Sequence, residues 1–201
     1  RPPRSTLFPY TTSSDLAAFM GYMIYDSIDS KIKLEEEIKA RKEVVIERLE
    51  NVKEAQISFK KVKGAYAKSF AQLKHFLEND SLIIVKAIGE VPDSLLGQES
   101  KALEMGIITR DTTKIPVRAE LFKDNFDKVV AEINIIPFSG GTEFSIDAGE
   151  IEKGKVKVKV FEVSAPYKEI FKGLKTDNEG IDMSQALTIG SMTEPTTNGN
   201  W

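Results

Sequence analysis

Residues 28–77, IDSKIKLEEEIKARKEVVIERLENVKEAQISFKKVKGAYAKSFAQLKHFL, are the stretch of sequence that decides the fold. Apolar and aromatic residues recur in it at seven-residue steps, which places them along one side of a helix. We define these five residues as the predicted packing face: Ile38, Val45, Val52, Phe59 and Tyr66. The apolar stripe widens beyond Val52, so we expect a globular head to cover the C-terminal half of the helix.

The N-terminal half of this pattern, residues 27–63, predicts a stalk helix. Helix-forming residues dominate it, and pairs of opposite charge four residues apart, such as Glu37 with Arg41, solvate and support the helix. Its apolar stripe is narrow, which is typical of a stalk or of a weak coiled coil that self-associates. Gly64 then breaks or bends the helix, and the sequence leaves open whether residues 28–77 form one helix or two.

The chain upstream of the stalk predicts a truncated membrane anchor. Residues 1–12, RPPRSTLFPYTT, resemble a translated sequencing adapter of the kind found at the ends of metagenomic reading frames, and we exclude them from the fold. Residues 16–25, LAAFMGYMIY, are apolar but only half as long as the roughly 20 residues that span a bilayer. We expect residues 13–26 to be the surviving outer half of an anchor. A short amphipathic helix packed on the head is the alternative.

Residues 64–192 predict a small antiparallel β-rich head, so the fold class is α+β. Strand patterns occur at residues 82–88, 132–138, 143–151 and 155–163, and Ser139–Thr142 reads as a turn. In the last strand, Val156, Val158 and Val160 alternate with lysines, which predicts one buried and one solvated face. Residues 193–201 form a polar, turn-rich tail.

Composition excludes several classes of function. The 28 basic and 31 acidic residues nearly cancel, which disfavours a nucleic-acid partner. The chain has no cysteine and a single histidine, His75, so sites that need two imidazoles or a thiolate are excluded. Consecutive glutamates at residues 35–37 point in different directions on a helix and cannot share one ion. We therefore predict no catalytic residue, cofactor or metal site, and no enzyme.

Short triplets that begin with aspartate suggest one modification. Asp80-Ser81-Leu82, Asp93-Ser94-Leu95 and Asp111-Thr112-Thr113 resemble the O-glycosylation acceptor of exported proteins from Bacteroidota. That resemblance predicts O-glycosylation at Ser81, Ser94 and Thr112, all three in expected loops or element ends. The same triplets are also ordinary turn and helix-cap chemistry.

Two family resemblances concern the fold. Residues 44–77 resemble the junction between helix and head in type IV pilins and secretion pseudopilins, where a membrane-embedded helix continues into a stalk that a β-sheet covers. The same residues, together with VPDSL, IITRDT, PFSGGTEFSIDAG, VFEVSAPY and the terminal GNW, resemble more closely an uncharacterised family of single-pass membrane proteins from Bacteroidota. The prepilin leader and the cysteine pair of pilins are not seen in the sequence.

The resemblances imply an envelope protein anchored in the inner membrane with a periplasmic head. We expect it to act as a structural or assembly component through protein contacts, with the membrane as one partner and an unidentified protein as another. The alternative is a soluble α+β binding module of unknown ligand, in which the first helix packs in the core.

Overall fold

A computed structural model describes residues 13–88, 109–176 and 180–201 of the chain. It confirms the α+β class, with a long N-terminal helix followed by small antiparallel sheets. The chain divides into an N-terminal unit, residues 1–43, and a C-terminal unit, residues 44–201. In chain order the elements are α1 Ser13–Lys63, α2 Phe70–Asn79, β1 Ser81–Ile88, β2 Thr109–Pro116, α3 Val117–Glu120, a 3₁₀ turn Lys123–Asn125, α4 Phe126–Glu132, β3 Ser145–Lys153, β4 Val156–Pro166, α5 Tyr167–Ile170 and β5 Ala186–Gly190.

The predicted break at Gly64 is confirmed, and residues 28–77 belong to two helices. Gly64 has a φ of +76°, a left-handed conformation that only glycine adopts at little cost, and α1 ends one residue before it. The second helix begins at Phe70, where Ser69 caps it by accepting a hydrogen bond from the Gln72 N–H. Tyr66 therefore lies between the two helices, and the prediction that it is a helical residue of the packing face was wrong.

The core of the C-terminal unit contains side chains from both helices and from the larger sheet. Two aromatic pairs lie in it: Tyr66, between the helices, packs on Phe161 of β4 with ring centroids 4.6 Å apart, and the Phe70 ring centroid lies 6.4 Å from that of Phe144. Completely buried side chains come from α1, α2, β4 and β5, namely Val45, Leu49, Val52, Leu73, Leu77, Phe161, Val163 and Ile189. Burial on α1 thus reaches further toward the N-terminus than the expected start at Val52.

Two separate antiparallel sheets account for the strands. In the first, β1 pairs with β2 from Ser81↔Pro116 to Ile88↔Thr109. In the second, the order is β3-β4-β5. The predicted strands at 82–88, 143–151 and 155–163 are confirmed as β1, β3 and β4. The sequence analysis did not anticipate β5.

The C-terminal residues join the second sheet rather than forming a separate tail. Gly199 makes an isolated bridge with Ile189, and the Asn200 side chain accepts from the Thr188 N–H and donates to the Ala186 carbonyl. These contacts lie along the edge of β5 that does not face β4. The polar composition of residues 193–201 is therefore that of a bound edge segment.

Two other predictions were wrong in detail. The expected strand at residues 132–138 is the end of α4 followed by turns, with one isolated bridge between Ile135 and Glu143. Pro137 has no N–H to continue a ladder, which limits pairing there. In β4 the predicted buried face begins only at Val160, because Val156 is 60% exposed beside the turn that joins β3 to β4.

Candidate interaction surfaces

An apolar belt surrounds the N-terminal part of α1. Its nine large side chains are all more than half exposed: Leu16, Phe19, Met20, Tyr22, Met23, Ile24, Tyr25, Ile28 and Ile32. Because residues 22–25 are consecutive, the apolar surface covers every side of the helix rather than one stripe. A helix that is hydrophobic all round is typical of a buried or membrane-embedded segment.

The belt ends in a charged turn. Asp29 and Lys33, four residues apart, are joined by a hydrogen bond of 2.5 Å between Nζ and the carboxylate. This bond, and then the charge of Asp29, raise the pKa of Lys33 above its ordinary value. Among the residues that the structure describes, no helix is both long enough and apolar enough to cross a bilayer.

The predicted packing face is brought to the interior with one partial exception. Val45 and Val52 are completely buried, Ile38 is 9% exposed, and Tyr66 is buried although it is not helical. Phe59 is half-buried, and its ring meets that of Phe76 edge to face at 5.1 Å. Seven-residue spacing therefore identified interior residues correctly, even where the helix had ended.

His75 lies on the exposed side of α2, as expected for a surface histidine. It lines an open groove of about 400 Å³ between α1 and α2, together with Phe59, Gln72 and Phe76. Lys63 and Asp80 also line this groove and form a salt bridge of 3.0 Å between Nζ and Oδ2. Within the described ranges, no three histidine, aspartate or glutamate side chains lie close enough to hold a metal ion.

A second cavity, of about 330 Å³, lies between the end of α1 and the base of β1. Its apolar lining comes from Val62, Leu82, Ile83 and Leu121, with Ser58 buried at 7% exposure. Lys61 and Glu120 also line it. Ser58 was not predicted from the sequence, where its only signal is a small polar residue next to Phe59 on the packing side of the helix. The cavity offers room for a small apolar group.

A third, polar cavity of about 220 Å³ surrounds a structural ion pair. Arg48 of α1 donates through Nη1 to the Glu132 carbonyl and through Nη2 to the Glu132 carboxylate, both at 2.7 Å. Since Glu132 is the last residue of α4, the guanidinium also meets the negative end of that helix. The pair joins two helices, and Glu47 and Lys128 also line the cavity.

The predicted glycosylation residues lie in different settings. Ser81 is the first residue of β1, at an element end as expected. Thr112 lies inside β2, opposite Val85, so its expected place in a loop or at an element end was wrong. Ser94 lies outside the described residues, as do the adapter-like residues 1–12. Modification at these three positions stays a prediction.

Comparisons with protein-family profiles, curated proteins and solved structures found no match. The resemblances to pilins and to single-pass membrane proteins of Bacteroidota therefore stay predictions.

Proposed function

We propose that the protein is a membrane-anchored component of the cell envelope that works through contacts with other proteins. The apolar belt of α1 is the observation that carries this proposal. Its side chains are exposed on every face of the helix, whereas a water-facing helix carries its apolar residues on one stripe. The belt thus requires an apolar environment in the functional protein.

The free energy of burying the belt side chains favours a membrane over water. Burying one Leu, Ile, Phe or Met side chain contributes about 1.5–3 kcal/mol, and seven of the nine belt residues are of these types. The belt also has the polarity gradient of a membrane boundary. Tyr22 and Tyr25 are followed by Asp26, Asp29 and Lys33, an order typical of the interface between lipid and water.

The C-terminal unit would then be held close to the membrane surface. The edges of its sheets, and the charged and uncharged side chains on its surface, are suited to contacts with protein partners. The resemblance to single-pass proteins of Bacteroidota supports a periplasmic location for this unit, with the belt in the inner membrane. In this arrangement the protein acts as a structural or assembly component.

Flotation with lipid vesicles tests the anchor directly. The purified chain is mixed with vesicles of phosphatidylethanolamine and phosphatidylglycerol, and we expect it to float with them. The double variant Phe19→Glu/Ile24→Glu should stay at the bottom of the gradient, because two charges in the belt oppose insertion. The matched control Ala40→Glu/Ala71→Glu adds the same charge at two exposed residues beyond the belt and should still float. Equal flotation of both variants would contradict the proposal.

Fractionation of a Bacteroidota host that expresses the chain tests its location. We expect membrane retention, and digestion of the C-terminal unit by protease added to spheroplasts. Recovery in the soluble cytoplasmic fraction would instead support a soluble α+β binding module. The cavity beside Ser58 and Leu82 is the observation that favours this second function, and a small apolar ligand fits its lining.

A further inference from the structure

We propose that the outer edge of β1 pairs with β1 of a second copy of this chain, so that two two-stranded sheets become one four-stranded sheet. Among the described residues, β1 pairs only with β2. At its other edge, alternate residues of this eight-residue strand present backbone N–H and C=O groups that β2 does not use. Such an edge is a template for pairing with another strand.

The two edges of this sheet differ in their protection against pairing. Proteins block exposed edges with charged residues and with proline. The strand β2 has both, since Arg110, Asp111 and Lys114 lie in it and Pro116 ends it. The sequence of β1, SLIIVKAI, has one charge, at Lys86, and no proline. These residue types therefore protect the β2 edge against pairing and leave the β1 edge unprotected.

The sheet also has little support of its own. An isolated two-stranded sheet is marginally stable in water, whereas four strands form a stable unit. Leu82, at the base of β1, is buried, but the next residue, Ile83, is 57% exposed. Pairing between copies would add backbone hydrogen bonds and would partly cover this apolar strand.

The sequence of β1 suits a pairing partner identical to itself. A two-fold axis makes the pairing antiparallel, with residues of the same sheet face opposite each other. Centred on Ile84, this register sets Ile83 against Val85 and Leu82 against Lys86 of the second copy. Centred on Val85, it sets Ile84 against Lys86. Neither register pairs Lys86 with Lys86 of the second copy, so no two like charges are set directly opposite each other.

Disulfide crosslinking tests the pairing, because the chain contains no cysteine. The variants Ile83→Cys, Ile84→Cys and Val85→Cys are prepared as full chains in detergent micelles and oxidised. Opposed residues in paired strands come close enough for a disulfide, so we expect a covalent dimer that is strongest at the central position. Thr113→Cys is the matched control, since Thr113 lies opposite Ile84 on β2. Crosslinking of Thr113→Cys as strong as that of the β1 variants would overturn the proposal.

A charge on the edge gives an independent measurement. We expect Ile83→Lys to raise the dimer dissociation constant at least about tenfold, because both copies carry the change. Thr113→Lys adds the same charge to β2 and should leave the constant unchanged. Circular dichroism checks that both variants are folded. A wild-type chain that is monomeric at 100 µM by light scattering, or equal effects of both lysines, would contradict the pairing.

Pairing of two copies through β1 does not depend on membrane attachment. The Phe19→Glu/Ile24→Glu chain, which should fail to float, should still crosslink through a cysteine at residue 84. Loss of crosslinking in that variant would assign the dimer to α1 and overturn the role of β1.

Discussion

The side chain of Gln56 and the backbone of Ala67 hold each other through two hydrogen bonds. Gln56 Nε2 donates to the Ala67 carbonyl at 2.9 Å, and the Ala67 N–H donates to Gln56 Oε1 at 2.8 Å. Both residues are completely buried. The two bonds span the chain reversal between α1 and α2, where helical backbone bonds have ended. The amide therefore replaces the missing peptide partners at this reversal.

Replacing Gln56 should destabilise the C-terminal unit. Gln56→Leu keeps a similar volume but leaves the N–H and C=O of Ala67 buried without partners, each at a cost of about 1–3 kcal/mol. We expect the free energy of unfolding in urea to fall by about 2–4 kcal/mol. Gln72→Leu is the matched control, since Gln72 is exposed and accepts one bond from the Lys68 N–H. A Gln56→Leu protein as stable as this control would show that the bonds contribute little.

Sequence patterns predicted the parts of the fold that local chemistry decides. The break at Gly64 and the strands at β1, β3 and β4 follow from a glycine, from β-branched runs and from alternation. Other features depend on contacts with residues elsewhere in the chain. Gln56 is buried where it meets Ala67, and β5 forms where it pairs with β4. The seven-residue spacing of buried residues continues to Tyr66 although α1 has ended, because the Tyr66 side chain packs on Phe161 of β4.

Two glycines allow backbone strain and steric clash to be separated. Gly64 and Gly190 both have positive φ angles, +76° and +77°, but a Cβ at Gly64 meets nothing within 4 Å. A Cβ at Gly190 would lie 2.2 Å from the backbone oxygen of Phe161. We expect Gly64→Ala to cost about 1–2 kcal/mol from the left-handed conformation alone. Gly190→Ala should cost about 1–3 kcal/mol more, measured by urea unfolding. Equal losses would mean that the sheet relaxes around the new methyl group.

The candidate surfaces were predicted less completely than the fold. The apolar run at residues 16–25 lies within the belt, but the belt continues to Ile28 and Ile32, which were predicted as part of the stalk. Whether an apolar helical residue is covered depends on what packs against it, and spacing alone does not reveal this. Thr112 shows the same limit, since its triplet suggested a loop and its backbone pairs with β1.

The depth of the core along α1 gives a third prediction. Leu49 is completely buried, whereas Val44, five residues earlier on the same helix, is 39% exposed. We expect Leu49→Ala to lower the free energy of unfolding by about 2–5 kcal/mol, because it leaves a cavity. Val44→Ala should change it by no more than about 0.5 kcal/mol. Urea denaturation of both variants measures these changes. If Leu49→Ala lowers the free energy of unfolding no more than Val44→Ala does, the core begins closer to Val52.

The carboxyl group of Asp182 gives a prediction about pH. The Ser184 hydroxyl donates to it at 2.6 Å, the Ser184 N–H donates at 2.9 Å, and the Gln185 side chain adds a weaker bond at 3.4 Å. Together these bonds hold the pKa of Asp182 below its ordinary value of 3.8. Because the folded pKa is the lower one, the stabilising effect is present above the ordinary value and is lost as the pH falls through the folded pKa.

Ser184→Ala should raise the pKa of Asp182 toward its ordinary value, since the hydroxyl is the largest cause of the shift. The backbone N–H of residue 184 remains, so part of the shift should persist. Titration of the carboxyl carbon by NMR measures both values, and stability below pH 4 should become less dependent on pH in the variant. Ser191→Ala is the control, because that hydroxyl accepts bonds from the Thr193 and Glu194 N–H groups and does not contact Asp182. An unchanged Asp182 midpoint in Ser184→Ala would assign the shift to the backbone bond instead.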